Sequence, residues 1–110
     1  MHIPSEGLLT QLGYHPDERI IAQLQTVEEN TPGFEQIKRH VVALNDHLKP
    51  LAGYVAISNS KPYLKIKIET DDPQKIEQAK EEIFKWADKY NVALQKVPNK
   101  ETYYILGISK

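Results

Sequence analysis

Histidines and paired acidic residues are the side chains of this sequence whose types suit catalysis or metal binding. His40 and His47 lie seven residues apart, which on a helix is two turns, or about 10 Å along the axis. That separation is too long for one zinc ion, whose ligands must converge on a single point. The sequence therefore predicts no metal site. The acidic pairs are explained by helix capping and solvated helix surfaces; they are Asp71 and Asp72, Glu28 and Glu29, and Glu81 and Glu82.

The sequence contains no motif that is typical of nucleophilic catalysis or of cofactor binding. The chain has no cysteine, so thiolate metal sites and cysteine nucleophiles are excluded. It has no Gly-x-Ser-x-Gly elbow, no glycine-rich phosphate loop and no dinucleotide fingerprint. We predict no cofactor and favour a non-enzymatic protein. An enzyme stays open as an alternative, because small α+β folds host many chemistries.

Tyrosines and lysines are expected to share one face of a sheet. Aromatic rings on a sheet can stack nucleic-acid bases while lysines hold the phosphates. The competing interpretation is a solvated or partner-covered face, since tyrosine favours strands and lysine on exposed strands prevents aggregation. The net charge of −1 argues against strong nonspecific nucleic-acid binding. The residues are Tyr54, Tyr63, Tyr103, Lys61, Lys65 and Lys67.

Two aromatic residues on a predicted long helix, Phe84 and Trp86, cannot both face inward. We expect one of them to contact the N-terminal helices or another chain. This pair is our candidate protein interface.

Helices are predicted for the first half of the chain. The first spans about residues 5–13 and ends at Gly13, and a second ends near Glu29 and Asn30. A third is predicted to start with Thr31 as N-cap and to stop before Pro50. Its apolar residues recur at spacings of three and four, which is a helical stripe: Phe34, Ile37, Val41, Leu44 and Leu48.

From residue 53 the spacing of apolar residues changes from the helical pattern to alternation, which is typical of strands. Residues 53–58 and 62–68 alternate, with a turn at 59–61, and predict a β-hairpin. Asp72 and Pro73 begin a long helix that Asn91 ends. Residues 92–97 and 102–108 form a second hairpin around the turn at 98–101.

These elements predict one α+β domain over residues 1–110. Two N-terminal helices precede a helix–hairpin–helix–hairpin unit, which we expect to form a four-stranded antiparallel sheet with helices on one face. This arrangement is a permuted ferredoxin-like sandwich. The N-terminal helices either extend the helical layer or cover the second face. The last strand is expected to offer an open edge to a partner.

The functional prediction favours a non-enzymatic protein-binding or adaptor domain that self-associates or docks on another protein. The alternative is a small domain that binds single-stranded nucleic acid through the tyrosines and lysines. The N-terminus has neither the basic start nor the apolar run of a signal peptide, and no apolar run is long enough to span a membrane. We therefore expect a cytoplasmic protein with no membrane partner.

Overall fold

A computed structural model describes residues 5–58 and 61–108, and it confirms the α+β class. Helices and strands follow one another in the predicted order. Their bounds are α1 Ser5–Gln11, α2 Glu18–Asn30, α3 Phe34–Leu48, a 3-10 turn Lys49–Leu51, β1 Gly53–Ile57, β2 Leu64–Ile68, α4 Pro73–Tyr90, β3 Val92–Lys96 and β4 Thr102–Ile108.

The four strands form one antiparallel sheet in the order β1-β2-β4-β3. Helix α4 carries the chain across the sheet to its far side, and the hairpin then folds β4 back between β3 and β2. The expectation that the last strand, Thr102–Ile108, forms an open edge is therefore wrong. The edges are β1 and β3. The permuted ferredoxin-like assignment stays a prediction.

One face of the sheet packs against the helices. Helix α3 lies against β1, α4 lies against β3, and the two helices pack on each other. Helix α1 packs on α2 and α3, so the N-terminal helices extend the helical layer. The predicted stripe of α3 is buried throughout, and the inner face of the sheet supplies the matching apolar side chains: Val55, Ile57, Leu64, Ile66, Ile68 and Ile105.

Aspartates begin two of the helices. The backbone N–H of Ile20 donates to Oδ1 of Asp17, and that of Gln74 donates to Oδ1 of Asp72, both at 2.9 Å. Helix α3 differs from the prediction, because its N-cap is Gly33 in a left-handed conformation (φ 74°) rather than Thr31. Any Cβ at position 33 would collide with the side chain of Ile108, so this turn requires glycine.

Two side chains accept hydrogen bonds from the outward N–H groups of edge strand β1. The N–H of Val55 donates to Oδ1 of the buried Asn45 at 2.9 Å, and the N–H of Ile57 donates to the hydroxyl of Tyr14 at 3.0 Å. Alternate N–H groups of an edge strand point away from its neighbour, and these two would otherwise be available to another strand. The capped donors leave β1 unsuited to strand addition.

The end of β4 is tied to the loop between α2 and α3. The register shifts between Ala93 and Leu94, which is a β-bulge, and Gly107 opposite has φ 117°. The N–H of Ile108 donates to the carbonyl of Pro32 at 2.8 Å. This contact fixes the helical layer relative to the sheet.

None of the helices in the described ranges combines the length and apolar character that crossing a bilayer requires.

We predict that Asn45→Ala lowers the free energy of unfolding by about 1–3 kcal/mol, because it leaves the buried N–H of Val55 without an acceptor. Urea denaturation followed by circular dichroism measures this. Asp46→Ala is the matched control on the next residue of the same helix. Asp46 pairs with Lys49, at 3.4 Å on the exposed surface, so its loss should cost about 0.5 kcal/mol or less. Equal effects of the two changes would contradict the capping role.

Candidate functional site

The outer face of the sheet is the surface that the helical layer leaves uncovered. We call it the tyrosine–lysine face and define it by Tyr54 on β1, Lys65 and Lys67 on β2, Tyr63 just before β2, and Tyr104 on β4. All five residues are partly exposed. In the antiparallel register Lys67 lies opposite Tyr54, and Lys65 lies opposite Tyr104. Opposite residues share a face, so these side chains form one continuous surface.

Tyr103 does not belong to this face, contrary to the sequence prediction. It pairs with Ile66, whose side chain points to the helices, and it is only 3% exposed. A shift of one residue along a strand exchanges the two faces, so Tyr104 takes the place that we assigned to Tyr103. The sequence of β4 is apolar or aromatic at nearly every position, and alternation alone could not decide between them.

Two aromatic rings lie side by side on the tyrosine–lysine face. The ring centroids of Tyr63 and Tyr104 are 6.3 Å apart, and the ring planes are tilted by 46°. Lys65 lies beside this pair, two residues after Tyr63 in the sequence and directly opposite Tyr104 in the sheet. An aromatic surface is thus flanked by a positive charge.

A small polar cluster surrounds Tyr54. The ammonium group of Lys67 lies 3.3 Å from Oε2 of Glu69. Burial raises the pKa of Tyr54, and a hydrogen bond with Glu69 adds to the effect. The pKa of Lys67 is also raised, chiefly by its hydrogen bond to Glu69. Tyr54 is therefore neutral and Lys67 charged at neutral pH, and part of the positive charge of Lys67 is compensated by Glu69.

A cavity of about 120 Å³ opens on the same side of the sheet. Within the described ranges, Lys65 and Lys100 form no ion pair with a carboxylate. Sequence reasoning missed Lys100, because the turn at 98–101 gives no sign of which face it approaches. The lining residues are Ser58, Lys65, Lys67, Val97, Lys100, Thr102 and Tyr104.

Positive charge is concentrated in the sheet. The two hairpins, residues 53–69 and 92–108, contain five lysines and two glutamates, whereas the whole chain has a net charge of −1. The helices and the remaining loops are therefore net negative. The balanced overall charge therefore conceals two basic hairpins, and three of their five lysines, Lys65, Lys67 and Lys100, line one cavity.

Lys61 stands apart from the other predicted lysines. Its backbone N–H donates to Oγ of Ser58 at 3.2 Å, and it lines a depression between α2 and the end of β1. It does not line the cavity that Lys65 and Lys67 share.

The predicted aromatic pair of α4 divides between the interior and the surface. Trp86 is buried, and its indole Nε1 donates to the carbonyl of His40 at 2.8 Å, which joins α4 to α3. Phe84 is 50% exposed and meets the ring of Tyr103 edge-on, with the centroids 5.6 Å apart. Phe84 is therefore the member of the pair that another chain could contact, and its role in an interface stays a prediction.

His40 of α3 has a structural role. His40 stacks on Tyr90 with the ring centroids 3.7 Å apart, and burial lowers its pKa. Among the described residues, no group of three or more histidine, aspartate or glutamate side chains is placed to hold a metal ion.

Comparison with known proteins gives no match, whether to a protein-family model, to a curated protein or to a solved structure.

The assignment of the two tyrosines to opposite faces predicts unequal effects of truncation. Tyr103→Ala should lower the free energy of unfolding by about 3–5 kcal/mol, because it empties a buried aromatic site. Tyr104→Ala should cost about 1 kcal/mol, as is usual for a partly exposed residue. Both changes lose the same strand propensity, so each serves as the control for the other. Urea denaturation compares them, and the reverse order would contradict the strand phase.

Proposed function

We propose that this protein binds single-stranded nucleic acid on the tyrosine–lysine face. The observation that carries the proposal is the open outer face of the sheet, where the rings of Tyr63 and Tyr104 lie together beside Lys65. Helices over this face would have ruled the function out, and they pack on the other side. The proposal involves binding alone and assigns no catalytic role.

The two kinds of side chain have different tasks in this proposal. The rings of Tyr63 and Tyr104 stack with one or two bases, a contact that tolerates any sequence because every base has a π-face. The lysines attract the phosphate backbone, which makes binding weaker as the salt concentration rises. Lys65 is the lysine best placed for this task. It has no carboxylate partner among the described residues, whereas Lys67 already pairs with Glu69.

Duplex DNA and double-stranded RNA are less suited to this surface. Stacking on a protein ring requires a base that is already unpaired or can be splayed out. The tyrosine–lysine face offers two partly exposed rings, one on β4 and one just before β2. The helices of the described ranges lie on the other side of the sheet, away from any groove that this face would meet. An unpaired strand therefore fits the surface best.

Tyr104→Leu should weaken the binding of a short single-stranded oligonucleotide, because it removes one stacking surface but keeps an apolar side chain. The expected loss is about 1–3 kcal/mol, or about 5- to 150-fold in Kd. Fluorescence anisotropy with a labelled mixed-sequence oligonucleotide measures the change. Lys65→Glu should also weaken binding, and it should make the dependence of the Kd on salt less steep.

Lys75→Glu is the control for this experiment. Lys75 is exposed in the first turn of α4, on the helical layer, and its replacement changes the net charge by the same amount as Lys65→Glu. It should bind almost as well as the native protein. Equal weakening by Lys75→Glu and Lys65→Glu would show that only overall charge matters and would remove the proposed surface.

A second candidate function, protein binding, is favoured by the open edge of β3. The N–H of Val97 donates to the carbonyl of Thr102 at 2.9 Å, so the alternate N–H groups of Leu94 and Lys96 point away from β4. In the described sheet β3 has a neighbour on one side only. The exposed Phe84 projects from α4, which packs on β3. An edge strand with a neighbour on one side only, packed under a helix that carries an exposed aromatic ring, suits an extended segment of another chain, a second copy included.

If two copies pair at this edge, the protein should dimerise as its concentration rises. Sedimentation velocity over a range of about 10 µM to 1 mM, where weak interfaces become occupied, measures this. Lys96→Pro removes one edge-facing N–H and should weaken the dimer, since proline is tolerated on edge strands but cannot donate. Phe84→Gln should do the same by removing the apolar contact. A monomer at every concentration would rule out self-association.

A further inference from the structure

The cavity of the tyrosine–lysine face has the chemistry of a phosphate site. Three lysines line it, together with Ser58 and Thr102, whose side chains carry hydroxyl groups. Lysine ammonium groups and hydroxyls are both ordinary ligands of phosphate oxygens. We propose that this cavity holds the terminal phosphate group of a bound oligonucleotide, a proposal that rests on the function proposed above.

The charge of the cavity matches a terminal phosphate better than an internal one. The positive charge of Lys67 is partly compensated by Glu69, whose Oε2 lies 3.3 Å from its ammonium nitrogen. Lys65 and Lys100 have no carboxylate partner in the described part of the chain, which leaves two positive charges at the cavity. A phosphodiester carries one negative charge, whereas a terminal phosphate carries between 1.5 and 2 at about pH 7.

The position of the cavity links it to the stacking surface. Tyr104 belongs to both, since its ring neighbours that of Tyr63 and its side chain also lines the cavity. A base stacked on this pair therefore has its own phosphate close to the cavity. The terminal nucleotide of a strand would occupy both features, with the remaining strand leading away from the cavity.

The first test compares oligonucleotides of one sequence that carry a phosphate at the 5′ end, at the 3′ end, or at neither. One of the two phosphorylated strands should bind about tenfold more tightly than the unphosphorylated strand at pH 7.5, as expected for added charge-assisted hydrogen bonds. The preference should shrink at pH 5.5, because the second ionisation of a phosphate monoester has a pKa near 6. Fluorescence anisotropy by competition measures all three strands.

Lys100→Gln tests the cavity directly. This variant should lose most of the preference for a phosphorylated end, which is a ratio of two affinities and does not depend on how much folded protein is present. Lys96→Gln is the matched control, because Lys96 is an exposed lysine of β3 that does not line the cavity. It should keep the full preference. Retention of the preference in Lys100→Gln would overturn the proposed subsite.

The outcomes separate the subsite from the proposed function. Equal affinity for phosphorylated and unphosphorylated strands would overturn the subsite and leave nucleic-acid binding in place. If no strand binds, the proposed function fails, and a titration with inorganic phosphate followed by amide NMR decides the subsite alone. Shifts at Lys65, Lys100 and Thr102 would then support a site for small phosphorylated ligands, and an unchanged spectrum would overturn it.

Discussion

Burial of one face of the sheet is the constraint on which the rest of this structure depends. Leu64, Ile66 and Ile68 of β2 are all buried against the helices. Because side chains alternate along a strand, Lys65 and Lys67 must then point to the other side. The antiparallel register extends this division to the neighbouring strands, so that the same packing that stabilises the domain also assembles the tyrosine–lysine face. No residue of that face has to be positioned by a loop except Tyr63.

The two edge strands of the sheet, β1 and β3, differ in how they are protected from pairing with another strand. On β1 the buried Asn45 and the hydroxyl of Tyr14 accept the N–H groups that a further strand would need. The β3 edge is paired on one side only in the described sheet and lies beneath the helix that carries the exposed Phe84. Proteins commonly protect such edges with charge, and Lys96 supplies one charge here. The asymmetry leaves one edge of the domain suited to another chain, on a different surface from the tyrosine–lysine face.

Much of the fold follows from local patterns in the sequence. The three–four stripe of α3 and the alternation of β2 each indicate one structure, and Asp72 and Asn91 mark the ends of α4 as capping residues do. The position of β4 within the sheet could not be read this way, because strand order depends on how α4 crosses the sheet. The prediction placed Tyr103 on the outer face, where the structure has Tyr104. Alternation could not distinguish the two, because β4 would bury apolar side chains whichever of its two sides faced the helices. Lys100 reaches the cavity from a turn, and nothing in the sequence around it distinguishes it from a solvated lysine.

The most direct test of the central claim is an amide NMR spectrum of ¹⁵N-labelled protein, recorded before and after the addition of short mixed-sequence single-stranded oligonucleotides at physiological salt. Binding at the tyrosine–lysine face should produce shifts that cluster at Tyr63, Lys65, Lys67 and Tyr104, with the amides of α2 and of the outer surface of α4 unchanged. An unchanged spectrum, or shifts confined to β3 and the surroundings of Phe84, would contradict it.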